Sequence, residues 1–363
     1  MKKGFIISAI GLWTVVVIAI ILFAINISQG RVSQMTISSE SLLKNEEVSL
    51  GNTENITIET TRQSIHILKT DGDKIKVSQY GSLDINDEEL FQVSTSSDGI
   101  HIYIKKDIQL RVFNFFGVYD ERLVVEIPEY FIGNLDVAAS SGSIKVLDEF
   151  TLKDASFLTT SGSTRIPNNI TADNLSISSS SGSIKLGGYV TANDLSAKAT
   201  SGSIRSSMDI KVDGNINLNT SSGSIHVDKD ITAKEIYVGT SSGGIRLENV
   251  NVEEYDLESS SGSIKVNSIS GGGSAKASSG GIHLALANPN GDIYINTTSG
   301  SIKVALESSL QFNLTAQTAS GGIRTNFATQ KNERGNQAIA NIGDNPTVSI
   351  TAKASSGGIR IEN

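Results

Sequence analysis

Apolar and polar positions alternate with a period of two on both sides of a short polar turn. In Asn134–Val146, which reads NLDVAASSGSIKV, Leu135, Val137 and Ala139 fall on one side while Asp136 and Ala138 fall on the other. Beyond the turn, Ile144 and Val146 are apolar and Lys145 between them is polar. Such alternation predicts two short strands with a shared inner face. The turn glycine is expected to supply a positive φ. One such pair cannot bury its own apolar face, so it has to stack on further copies.

The copies are present. Aligned on the turn glycine, the unit recurs at Gly142, Gly162, Gly182, Gly202, Gly223, Gly243, Gly262, Gly280, Gly300, Gly321 and Gly357. Successive gaps run from 18 to 21 residues except the last, which is 36. A period this regular marks a solenoid. The expected fold is all-β: a single-stranded-coil, β-helix-like solenoid of repeats of about 20 residues. Stacked at about 4.8 Å per coil, eleven coils give a rod on the order of 50 Å long. Handedness is not readable from the pattern.

The array is expected over residues 129–363, with a loop insertion near 326–346 that accounts for the long last gap. Residues 50–128 are strand-like but irregular, with echoes of the unit at QSIHIL (Gln63–Leu68) and SSDGIHIYI (Ser96–Ile104). They read as degenerate first coils and a cap, since an open solenoid end exposes strand edges. Residues 28–49 read as a juxtamembrane linker or a short first strand.

That linker follows the clearest local signal. After a three-residue tail, residues 1–3, the run GFIISAIGLWTVVVIAIILFAI carries no charge from Gly4 to Ile25. It is long enough to span a bilayer, which takes roughly 20 apolar residues. No Ala-x-Ala cleavage site follows, so residues 4–27 are expected to form an uncleaved transmembrane helix. Lys2 and Lys3 should hold the N-terminus in the cytoplasm and send the rest outside.

Composition narrows the function classes. The net charge of −8 argues against a nucleic-acid partner. With no cysteine, disulfide scaffolds and thiolate metal sites are excluded.

The strongest candidate chemistry is a column of cations. Lys145, Arg165, Lys185, Arg205, His226, Arg246, Lys265, His283, Lys303, Arg324 and Arg360 occupy one position relative to the aligned glycines. In-register stacking would set them above one another. One reading is unit duplication with a soluble outer face. The other is a linear basic track for a polyanion such as an anionic wall polymer.

All four histidines, His66, His101, His226 and His283, follow an isoleucine. A metal site needs ligands converging on one point, and His226 and His283 lie three units apart, roughly 14 Å. No metal or other cofactor is expected. The abundant serines have equivalent siblings in every unit, and no Gly-x-Ser-x-Gly elbow is present. The GGGS at Gly271–Ser274 lacks the Gly-Lys-Ser/Thr of a phosphate loop. Catalysis is therefore not expected. Phe113, Phe115, Phe116 and Tyr119 form an aromatic cluster that reads either as a plug over the solenoid's N-terminal end or as a membrane or partner docking tip.

The phrases LVVEIPEYFIGNLDVAASSGSIKV (Leu123–Val146) and VSITAKASSGGIRIEN (Val348–Asn363) resemble the bacterial "putative adhesin" β-strand-repeat family, which includes LiaG-like membrane-anchored proteins. The resemblance extends over roughly Glu47 to Asn363. It implies a β-helical domain at the cell envelope, with no catalytic residues to carry over. The function expected from all this is non-catalytic binding or scaffolding in an envelope stress response, through a membrane protein partner. The alternative is a surface adhesin that binds polysaccharide or anionic wall polymer along the cation ladder.

Overall fold

Where the sequence alternates, the structure has strands, and each strand finds its partner one repeat away. The computed structural model describes residues 41–81, 87–104 and 121–363. Thr164 pairs with Ile184, Ile170 with Val190 and Leu175 with Leu195, all parallel and offset by 20 residues. The same parallel stacking runs through the repeat array, coil on coil.

From Ile144 to Ala277 each coil has three strand segments rather than the two the sequence predicts, while later coils, such as Ile282–Leu286 with Ile293–Thr297, keep two. One is the short piece after the glycine, such as Thr164–Ile166. The other two lie in the continuous strand Ile170–Ser179. There Asp173 and Asn174 are both exposed, which breaks the in-out alternation and turns the chain without ending the strand. The period-two pattern slips by one residue at that corner, and each side of the slip keeps its own buried set.

The buried face is a set of columns. Ile144, Ile184, Ile204, Ile225, Ile245, Ile264, Ile282 and Ile302 occupy equivalent positions, and each is at most 1% exposed. Each such side chain contributes about 1.5–3 kcal/mol on burial.

The turn glycines do a different job from the one the sequence suggests. None of them has a positive φ. Instead, a Cβ at Gly162, Gly182, Gly202 or any later turn glycine would stand 1.7–2.0 Å from the carbonyl oxygen of the glycine one coil below. The backbones stack in contact at this corner, leaving no room for a side chain. The first full coil carries Gln63 there, and Gly142 stacks on its carbonyl.

The residues around the glycine satisfy the backbone groups that this turn takes out of the ladder. Ser163 N–H donates to Ser143 Oγ one coil below, and Ser183 N–H donates to Ser163 Oγ. On the inner side, Thr220 Oγ1 donates to Gly202 O at 2.8 Å and accepts from Gly223 N–H at 3.2 Å. Ser179, Thr240, Ser259, Thr297 and Thr318 repeat that bridge.

Coil order departs from chain order at both ends. At the N-terminal end the strands are β1 (Ser41–Ser49), β2 (Asn55–Thr60), β3 (Ser64–Thr70), β4 (Lys74–Gly81), β5 (Gln92–Ser96), β6 (Gly99–Tyr103), β7 (Arg122–Pro128), β8 (Asn134–Ala139) and β9 (Ile144–Val146). The β2–β3 coil lies between β8–β9 on one side and β6–β7 on the other. Antiparallel β4 then covers β7, β1 covers β4, and β5 covers β6. The irregular segment is thus made of coils and a cap, with the first coil buried inside the later one. Ser41–Ser49, at the end of the predicted linker, is a nine-residue strand.

The C-terminal end repeats the device. The chain's last coil, Val348–Ala354 with Ile359–Glu362, inserts between the coil at 293–306 and the coil at 312–325. Antiparallel Gln337–Ile342 then covers Phe312–Thr318. The insertion expected near 326–346 is this returning strand together with Gln330–Lys331.

Among the described residues there is no α-helix, only a 3-10 turn at Asp87–Glu89, and no helix long and apolar enough to cross a membrane. The apolar run at 4–27 and the aromatic cluster Phe113, Phe115, Phe116 and Tyr119 lie outside the described residues.

Candidate functional site: a cation column

The position three residues after each turn glycine points outward from the short strand segment, between two buried apolar neighbours. In-register stacking converts it into a column. Lys145 pairs with Arg165, then come Lys185, Arg205, His226, Arg246, Lys265, His283 and Lys303 in unbroken succession. Because the last coil is inserted, Arg360 follows Lys303 and Arg324 ends the column. All eleven residues singled out by spacing are brought together. His66 extends the column below Lys145, while His101 pairs with Thr57 on another segment.

Adjacent members are one strand spacing apart, about 4.8 Å. At that distance two like charges repel by somewhat under 1 kcal/mol in bulk water, a cost that repeats at each step. Carboxylates relieve it at two places among the described residues. Asp228 accepts from Arg205 at 2.8 Å and lies 2.6 Å from His226. Glu362 accepts from Arg360 at 2.6 Å. Burial raises the Asp228 pKa, but the Arg205 hydrogen bond and the charges of His226, Arg205 and Arg246 outweigh that and hold it below the usual value. Asp228 therefore stays ionised and keeps the middle of the column tied.

The remaining members are Lys145 to Lys185, Arg246 to Lys303, and Arg324 beyond the tied Arg360. None of their cations has a carboxylate within ion-pair distance among the described residues. Sequence reasoning missed the tethers. Their signal was present as an acid two residues beyond the cation, in Asp228 and Glu362. Among the described residues, no cluster of His, Asp or Glu converges as a metal site would require.

The chain is similar in structure to a "putative lipid binding protein" from Parabacteroides distasonis, at 19% identity and a TM-score of 0.42, over 72% of this chain and 96% of that one. It is similar to a "putative adhesin" from the same organism at 14% identity and a TM-score of 0.40, over 88% and 97% of the two chains. A second "putative adhesin", from Bacteroides fragilis, is 15% identical with a TM-score of 0.34, over 89% and 98%. No curated protein gives a significant match. A family profile matches twice, over residues 53–193 and 188–362, and so covers nearly all of the stacked coils. The chain belongs to the Toastrack DUF4097 family.

Proposed function

We propose that this protein is a non-catalytic binding module of the cell envelope, a β-solenoid rod whose cation column engages a linear polyanion such as an anionic wall polymer. The apolar run at residues 4–27 would hold it in the membrane, with the N-terminus in the cytoplasm and the rod outside. The observation that carries the reading is the register itself: twelve basic positions, His66 included, follow one another at single-strand spacing. A rod that needed only solubility would mix both signs along its face. Scaffolding of a membrane partner in an envelope stress response rests on the LiaG-like sequence resemblance. Co-purification of such a partner with a variant whose column is neutralised would favour it.

The test is binding of the full-length chain to purified wall teichoic acid across a salt series, with dextran as the neutral control. Affinity should fall steeply with salt, by about 0.7 log units per log unit of salt for each phosphate neutralised on a flexible single strand. Replacing Arg165, Lys185, Lys265 and Lys303 by Gln should lower that slope by about 2–3 and leave folding unchanged. Salt-insensitive binding, or equal binding by the variant, would overturn the reading.

Asp228→Asn is expected to act in the opposite direction. It removes the carboxylate that occupies Arg205 and His226, so teichoic acid affinity should rise by a few-fold, at roughly 0.5–1 kcal/mol. A fall in affinity would show that Asp228 orders the column for binding instead of blocking it.

A further inference from the structure

We propose a second binding site on the strand segment that precedes the turn, away from the cation column, and that its ligand is an uncharged pyranose saccharide. Along one outward column of that segment, Lys198, Asn219, Gly239, Glu258, Lys276 and Asn296 follow one another in register. Gly239 has no side chain to fill its step. The gap from Asn219 to Glu258 spans two strand spacings, about 10 Å, and opens a groove of about 370 Å³.

The walls of this groove are chemically specific. Tyr237, two residues earlier on the same strand, reaches along it, so that a Cβ at Gly239 would meet the tyrosine hydroxyl at 2.5 Å. Lys276 lies 3.1 Å from Glu258 and 3.7 Å from Asp256. Asn219 and Asn296 close the two ends of the groove. Burial, then the charges of Glu258 and Asp256, push the Tyr237 phenol up, so it stays a protonated donor.

This set fits one ligand class. The two charged lining residues, Glu258 and Lys276, pair with each other and leave no net positive charge to hold a phosphate or carboxylate ligand. An apolar ligand would displace water from the Asn219 and Asn296 amides and return no hydrogen bond. Vicinal hydroxyls both donate and accept, and amides, a carboxylate, an ammonium and a phenol supply both complements. The tyrosine ring adds an amphipathic surface for the sugar's C–H face.

The inference does not rest on the polyanion reading, and the two fail separately. The full-length chain is titrated calorimetrically with chitotetraose and with maltotetraose. At least one should bind, with an affinity unmoved by raising salt from about 0.05 to 0.5 M and unmoved by neutralising Arg165 and Lys185. Gly239→Ala fills the gap and meets only the far end of a side chain, so the fold is kept while Tyr237 is displaced. Gly239→Ala and Tyr237→Ser should each weaken binding by about tenfold or more. If Gly239→Ala lowers the unfolding midpoint, Tyr237→Ser and the exposed Glu258→Gln carry the test. No binding of either saccharide at about 10 mM, or wild-type affinity in the folded variants, overturns the site.

Discussion

Gly202→Ala should destabilise the rod by more than about 3 kcal/mol, in the range that single substitutions reach only through a specific structural conflict. The added Cβ would stand 1.8 Å from Gly182 O and 2.4 Å from Gly182 C. Both are backbone atoms held by coil-to-coil pairing, so neither can swing aside as a side-chain terminus would. The coils would have to separate locally, which breaks the Thr220 bridge to Gly202 O as well. Gly322→Ala is the matched control. It sits directly after a turn glycine, and nothing lies within 4 Å of its Cβ position. Its effect should stay within about 0.5 kcal/mol. Urea unfolding followed by circular dichroism separates the two. Equal midpoints would mean that the glycines serve turn flexibility and not backbone contact.

Ending the chain at Asn345 is the second large perturbation. In a simple repeat array, removing the last unit peels one coil from the end and leaves the rest in place. Here the last coil is internal. Val348, Ile350, Ile359 and Ile361 are buried in it, worth roughly 6–12 kcal/mol of apolar burial at about 1.5–3 kcal/mol each. Its loss also strips a partner from two other coils, at 293–306 and 312–325. Unpaired strand edges of that length invite aggregation. Hydrogen exchange should therefore lose protection at Phe312–Thr318, although those residues remain in the chain. Retained protection there would place the last coil at the outside of the stack.

These two results mark the limit of what the sequence makes legible. The period and the buried columns are readable because stacked coils require similar residues at each level, and Ile144 through Ile302 record that requirement. The cation column is readable for the same reason: Lys145 and its counterparts keep a fixed distance from the glycine. The glycine's purpose is not readable, because positive φ and close backbone approach both exclude a side chain and leave the same letter. The third strand segment was missed because Asp173-Asn174 interrupts the alternation, and a one-residue slip resembles a loop. Coil order is hidden for a deeper reason. Every coil presents nearly the same inner face, so nothing local decides which one stacks on which. The decision lies with the segments that follow Thr70 and Thr325, whose strands Lys74–Gly81 and Gln337–Ile342 cover the outside of a coil before the chain stacks again. The Asp228 tether was visible two residues after His226, but an acid beside a cation is common enough on a strand face to pass unnoticed.

The column claim can be measured directly, because the chain has no cysteine of its own. With one spin label at Lys303→Cys and a second at Lys185→Cys, Arg165→Cys or Lys145→Cys, the labels lie six, seven and eight coils apart. Pulsed dipolar spectroscopy should then give distances of about 29, 34 and 38 Å, rising by one strand spacing per coil. Distances that fail to rise in that order, or that change by unequal steps, would mean that the cations do not form a column and that the coils do not stack in register.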